Sequence, residues 1–534
     1  MLDLAADGIE PTAAQAAVVA ERVPAGVERA VLARLGRLDH AAQRLAQAVA
    51  VVGEDSGLRL AARMAELDID TAAAAADALL TAELLAEARP LRFAHPLVRS
   101  AIYEQLALGA RTRAHARAAT LLRQEDADLE QVAAQLLLSE PAGDLDAVQA
   151  LRGAAAAALA RGAPQTAVGY LRRALAEPPP QRDRAAVLGE LGAAERIGRD
   201  PAALIHLQQA WGATAEPVAR ARLADQLADV LFYAGDLERC SAVLGAALAD
   251  IGDRDPDLAV RLHSAKAGIE AHSLHPPPLD RLWELAKSGV AASRSVQLTL
   301  ANVLAARGRH CAAVSDLVRR GLDDGRFIAE ETFEALPAIL AVYALVFVDE
   351  LARANDLTEA MVADARARGS VLGYLAASGL RGWVALRRGA LAEAEADTAA
   401  ALELAIEHHL AFSIPFIAAY LSLTLLERGE IEQAAAVVEA VAINPALAEV
   451  PAGPTLFEAR GRVRLARGQR AQGITDLRRC GQGAERIDTR NPNTFGWRFA
   501  LALALASEHP EQAHELAQTE LALALRVGAP RAMG

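Results

Sequence analysis

One recurring spacing constrains this chain more than any other feature: a glycine, a small residue five positions on, and a second small residue seven positions after that. Gly162, Ala167 and Ala174 fit it, as do Gly198, Ala203 and Ala210, and Gly235, Cys240 and Ala247. Gly389, Ala394 and Ala401 follow in the second half, then Gly429, Ala434 and Val441, then Gly468, Gly473 and Cys480. Gly308 opens a poorer copy with Ala313 in place and Arg320 at the second small position, and Glu508 takes the glycine place before Ala513. The glycines lie 36 and 37 residues apart, then 40 and 39. A glycine that ends one helix in a left-handed cap, followed by small residues where the next helix crosses it, predicts stacked helix pairs. No pair of this kind buries its apolar face alone, so the unit must repeat.

Composition agrees. Apolar residues make up 53% and aromatics only 4%, with alanine dominating. Alanine favours helix over strand and lets helices approach closely. The longest apolar run, Ala335 to Val348, holds Pro337 and is too short to span a bilayer, so it reads as a buried helix. No basic-then-apolar signal segment opens the chain. Cys240, Cys311 and Cys480 stand far apart, which fits a reducing cytoplasm and argues against a metal cluster. The net charge of −13 disfavours non-specific binding to nucleic acid or anionic membrane. Arginine outnumbers lysine so far that only Lys266 and Lys287 are lysine, which reads as genomic base bias.

The Gly–small–small unit resembles the tetratricopeptide repeat, whose unit is roughly 34 residues. The units here run longer, and the aromatics usual on the first helix are mostly missing. Linkers are predicted at Glu177 to Pro180, His275 to Pro278 and around Asn444 to Pro454. Ahead of the repeats, helical patterns at about 27–52, 57–66 and 70–82 precede one β-hairpin. There, Leu84 to Glu87 and Leu91 to Phe93 flank Arg89-Pro90, and a helix spans His95 to Leu106. Helices, a small hairpin and a further helix predict a winged-helix-like domain at roughly 27–110. The fold class is therefore all-α: a winged-helix-like N-terminal domain followed by a tetratricopeptide-like α-solenoid. Its parts are 1–26, 27–145 (the winged helix plus linking helices) and 146–534 (the repeat array).

No motif for catalysis emerges. GxxxxGK[ST], GxSxG, HExxH and a strand-to-helix GxGxxG are all absent. His272 and His275 form HxxH beside three prolines without a third ligand, which favours a solvated loop over metal. His408 and His409 point different ways on a helix and read as surface residues. His95 precedes Pro96 at a helix start, so its first reading is structural. The arginine pairs 172–173, 319–320, 387–388 and 478–479 read as solvated faces, with a concave ligand groove lined by some of them as the alternative. Catalytic residues and metal ligands are both expected to be none.

The segment LRFAHPLVRSAIYEQL, Leu91 to Leu106, gives the chain a more specific resemblance. It is similar to the RFxHPLVRxAxYxxL segment of the large ATP-binding LuxR-family transcriptional regulators, signal-transduction ATPases with tetratricopeptide-like repeats. Ala30 to Gly53, Val132 to Asp144, Gly162 to Pro179 and Glu520 to Gly534 agree with it. The resemblance implies an order of nucleotide-binding domain, winged helix, helical-repeat sensor and helix-turn-helix. Walker motifs and the LTxRExxV…GxxNxxIA pattern are absent from this sequence, so 1–26 is expected to be the end of an ATPase module. His95 then takes the place of a possible nucleotide sensor, with ATP or ADP relevant only if another segment or partner supplies the nucleotide-binding domain. The implied function is a cytoplasmic, non-enzymatic regulatory scaffold that binds an inducer or protein partner in the repeat groove. Its alternatives are direct DNA contact through the winged helix, which the acidic balance opposes, and a plain interaction adaptor.

Overall fold

The computed structural model describes residues 25–53, 56–177, 179, 181–270, 279–287, 293–322, 327, 336–441 and 452–533. The chain forms two compact units, one comprising Met1–Ala160 with Thr166–Val187, the other Arg161–Gln165 with Leu188–Gly534. Residues 1–24, His272, His275 and most of the linker at 444–454 lie outside the described residues, as does Ala335.

The first unit opens with α1 (Ala25–Leu35), α2 (His40–Val52), α3 (Leu58–Ala65) and α4 (Ile69–Thr81). The pattern at 27–52 is thus two helices. Asp39 interrupts it because its carboxylate accepts the Ala42 N–H at 2.8 Å and so starts a new helix. Asp68 caps α4 in the same way through Thr71. The hairpin forms where the sequence places it, as β1 (Leu85–Ala88) against β2 (Leu91–Phe93), antiparallel, with Leu85 opposite Phe93. Leu85, Leu91 and Phe93 are buried while Arg92 is exposed, the alternation of a one-faced ribbon. Then come α5 (Pro96–Gln105), α6 (Leu108–Gln124), α7 (Leu129–Leu137), α8 (Leu145–Ala160) and α9 (Pro164–Ala176, whose first two residues belong to the second unit).

Glu177, assigned to a linker, is instead a buried tie at 1% side-chain exposure. One carboxylate oxygen accepts the N–H groups of Ala142, Gly143 and Asp144 at 2.9, 2.8 and 3.2 Å. The other pairs with Arg173 at 2.7 Å, and Arg173 also donates to the Leu136 carbonyl at 3.0 Å. Of that arginine pair, Arg173 therefore serves structure rather than a solvated face.

The second unit continues through α10 (Gln181–Gly198, whose start belongs to the first unit), α11 (Ala202–Ala213), α12 (Pro217–Tyr233), α13 (Leu237–Ile251), α14 (Pro256–Glu270) and α15 (Leu279–Ala286). Next are α16 (Ser293–Ala306), α17 (Cys311–Leu322), α18 (Leu336–Phe347), α19 (Leu351–Arg368), α20 (Val371–Arg388) and α21 (Leu391–Glu407). The array ends with α22 (Ile414–Glu427), α23 (Ile431–Ala440), α24 (Ala452–Ala466), α25 (Arg470–Arg486), α26 (Trp497–Leu505), α27 (Pro510–Val527) and the short α28 (Pro530–Met533).

The first helices of the pairs end in one motif. Gly235, Gly308, Gly389, Gly429 and Gly468 have φ between 70° and 82°. The residue after each donates its N–H back across the cap, as Ala390 does to the Ala385 carbonyl at 2.9 Å and Gln469 to Arg464 at 2.8 Å. Two caps depart from the expected glycine. Beside Gly198 the left-handed residue is Arg199, at φ 61°, and a further copy between Gly308 and Gly389 is capped by Asp349, at φ 62°. Glu350 closes that cap onto the Leu345 carbonyl at 2.9 Å. The copy at Gly308 is displaced by one: Val314 and Gly321 are buried, whereas Ala313 and Arg320 are exposed.

Where the two helices of a pair cross, small residues meet backbone. A Cβ added at Gly382 would sit 3.1 Å from the Ala394 carbonyl oxygen, and one at Gly461 would sit 3.1 Å from that of Gly473. Cys240 donates its thiol to the Ala228 carbonyl at 3.1 Å, and Ser422 its hydroxyl to that of Ala434 at 2.9 Å. Each of these partners stands twelve residues after the other, seven before the cap and five beyond it. One continuous buried core runs from Leu207 to Ala452. Among the described residues no helix is long and apolar enough to cross a membrane.

Candidate functional site

Counted back from each cap, the positions six and two residues before it share one side of the first helix, because they are four apart. On successive helices they are Asn302 and Ala306, Tyr343 and Phe347, Trp383 and Arg387, then Leu423 and Glu427. The next is Arg462. All of these line a single cavity of about 1310 Å³ in the second unit. The wall is thus a property of the repeat: each pair adds one strip of inner surface.

An aromatic seam runs down this wall. Trp383 stacks on Tyr420 with centroids 5.1 Å apart and planes 15° from parallel, and Tyr343 lies 5.2 Å from the same indole. Phe347 meets Trp383 edge-on at 5.9 Å. Tyr343 and Tyr420 share a hydrogen bond, and burial pushes the Tyr343 phenol up to about 12, so both remain neutral.

The Arg387 guanidinium lies 5.5 Å from the Trp383 ring and donates to the Asn493 carbonyl at 2.8 Å. It is half-buried and faces the open cavity. Burial, and after it the neighbouring charge of Arg531, hold its pKa below the ordinary arginine value while leaving it cationic at neutral pH. No described carboxylate stands within ion-pair distance of it. Two acids of the wall are ion-paired, Glu427 with Arg462 at 2.9 Å and Glu520 with Arg498 at 3.5 Å, and Glu458 accepts the Gly496 N–H at 3.0 Å.

The turn after α25 forms one side of the cavity. Arg490 and Asn491 donate their backbone N–H groups to the Ala306 carbonyl at 2.9 and 3.0 Å. The buried Asn491 amide donates to the carbonyls of Ala305 and Phe347, both at 2.9 Å, and Asn493 reaches Phe347 at 3.2 Å. Arg307 pairs with Asp488 at 3.1 Å beside them. Side-chain amides thus take up carbonyls that α16 and α18 leave open at their C-terminal ends.

His95 sits elsewhere, in the first unit. It is the exposed N-cap of α5, its Nδ1 accepting the Leu97 N–H at 3.1 Å ahead of Pro96. His408 and His409 form the turn after α21 rather than part of the helix. Arg319 and Arg320 are exposed and pair with Asp316. Of the arginine pairs, 387–388 is the one that reaches the cavity, so the groove alternative applies there. Cys240 and Cys480 are buried and Cys311 half-buried, all unpaired, and no described group of acids, histidines or cysteines has metal-site geometry. The sequence reading missed the aromatic seam because the copy at Asp349 lacks its glycine, and with it the register that aligns Tyr343 with Trp383.

This is a tetratricopeptide-like helical-repeat protein. No family model matches the chain, and no curated protein matches it. Similar solved structures include a signal-transduction ATPase with numerous domains and a tetratricopeptide repeat sensor from Pyrococcus horikoshii, at 11% identity and a TM-score of 0.37. That match covers 90% of this chain, and the chain spans 66% of the length of that protein. The APC/C hetero-tetramer Cut9-Hcn1 is similar at 11% identity and a TM-score of 0.21, over 72% of this chain and 96% of that one. Naa15/Naa10 bound to HypK-THB follows at 14% and 0.23, over 87% and 77%. The repeat architecture rests on the chain's own caps and crossings.

Proposed function

We propose that this chain is the sensing scaffold of a LuxR-type transcriptional regulator, in which the repeat array binds an inducer inside its cavity. The observation that carries the reading is the cavity itself, built from equivalent positions on successive first helices and lined by neutral aromatics and a half-buried arginine. Cavities with an apolar wall and a few convergent polar groups are the usual form of a small-molecule site. In this reading the helices and hairpin at 27–110 are a winged helix, and His95 faces nucleotide only when a nucleotide-binding domain is supplied. The scaffold itself performs no chemistry. The regulatory assignment comes from the Leu91–Leu106 resemblance.

A metabolite panel screened by thermal shift tests this. A ligand at a hundred times its Kd stabilises the fold it occupies by about 2.7 kcal/mol. The reading expects such a ligand, with the effect abolished by filling the cavity through Leu423→Trp. Absence of any stabilising metabolite, or ATP turnover by the purified chain alone, refutes it. Sequence-selective retardation of DNA at moderate salt would instead favour direct DNA contact.

A further inference from the structure

We propose that the cavity takes a compact organic anion, a carboxylate or phosphate on a flat apolar body, with the anion on Arg387 and the body along the Trp383–Tyr420 seam. This deepens the sensing reading above and rests on it.

The cavity's charges are unevenly matched. Glu427 and Glu520 are ion-paired, through Arg462 and Arg498, whereas Glu458 accepts the neutral Gly496 N–H. Arg470 is satisfied by Glu508 and by the Ala504 carbonyl at 3.0 Å. Arg387 touches only a neutral carbonyl and the face of Trp383; Glu458 and Asp349 act on it from beyond ion-pair distance, and Arg531 adds a second positive charge near it. A half-buried guanidinium with no carboxylate in contact keeps donors open to the cavity, and a ligand anion can accept them. Its planar fork suits the paired oxygens of a carboxylate or phosphate. The rest of the ligand must suit apolar walls. Tyr343, Phe347 and Trp383 supply one side, and Phe499 and Leu503, 62% and 64% exposed, supply apolar surface from α26. Free inorganic anions would leave this surface uncovered, so the ligand is organic.

Naphthalene-2-carboxylate and its neutral isostere naphthalene-2-carboxamide separate charge from shape. Calorimetric titration of the full chain should show the acid binding at least about tenfold more tightly than the amide, a difference of about 1.4 kcal/mol. Arg387→Met should erase that preference and Arg387→Lys should retain part of it. Equal binding of acid and amide, a preference that survives Arg387→Met, or no saturable binding of the acid at millimolar concentration overturns the proposal. If Arg387→Met fails to fold, wild-type crystals with the acid decide: a carboxylate on the Arg387 guanidinium supports it, and one anywhere else overturns it. Equal binding in the cavity sinks the anion and leaves ligand sensing intact. Failure of these probes alongside a metabolite panel without hits removes both.

Discussion

His115 shows how much a single buried residue can set. In the first unit its Nε2 lies 2.7 Å from the Tyr103 hydroxyl and its Nδ1 2.6 Å from the Gln135 carbonyl oxygen. Gln135 in turn donates to the carbonyls of Val51 and Val52 at 3.4 and 3.3 Å. A neutral imidazole protonated on Nδ1 satisfies the whole chain of bonds. Burial, with Arg99 and Arg111 behind it, holds the His115 pKa below its ordinary value. The unfolded chain takes up this proton near pH 6.5 and the folded unit only at lower pH. Stability therefore falls as pH drops through about 6.5, and this loss ends once the folded group also protonates. Denaturant titrations at pH 7.5 and 5.5 should show a slope that His115→Phe reduces. That variant should also cost about 1–3 kcal/mol at neutral pH, because the Tyr103 hydroxyl and the Gln135 carbonyl lose their partner. Glu177→Ala should cost more, about 3–5 kcal/mol, since it strands buried Arg173 and three backbone N–H groups. Neither role was legible in the sequence. His115 lies in a helix with no distinguishing neighbours, and Glu177 precedes three prolines that read as a linker.

At the scale of the element, the glycines divide into two kinds that the sequence alone does not separate. Gly461 lies within α24 where α25 crosses it, and an added Cβ would stand 2.9 Å from Leu477 and 3.1 Å from a backbone oxygen. Gly461→Ala should therefore destabilise by about 1–3 kcal/mol. Gly169, inside α9, has nothing within 4 Å of the same position. Gly169→Ala should stabilise by about 0.5–1 kcal/mol, through helix propensity and a less flexible unfolded chain. Thermal melts of the two variants should move in opposite directions. The cap glycines and the small residues five beyond them were readable because they break an otherwise periodic helix at fixed spacing. The caps at Arg199 and Asp349 were not, since they reach the left-handed region without glycine. The hairpin was readable from its alternation, whereas the division of 27–52 depended on the capping of Asp39.

At the scale of the whole molecule, the second unit's array curls far enough that distant repeats meet. Phe232 packs on Phe412 with centroids 4.3 Å apart, and the Phe412 N–H donates to the Tyr233 carbonyl at 3.3 Å. The turn at 488–495 closes on the ends of α16 and α18 in the same manner. Such closure is invisible in the sequence, because asparagines in a loop carry no sign of the carbonyls they will meet. Arg387 ties the inner wall to the same turn by donating to the Asn493 carbonyl at 2.8 Å. The N–H groups of Arg490 and Asn491 report on the closure because their acceptor, Ala306, lies some 180 residues away in sequence. Hydrogen–deuterium exchange over 488–495 is therefore the most direct measurement. Slow exchange in the wild type, lost in Asn491→Ala without unfolding of the flanking helices, is the expected result. Exchange at the rate of an open loop in the wild type would contradict a turn held on the ends of α16 and α18 as one side of the cavity.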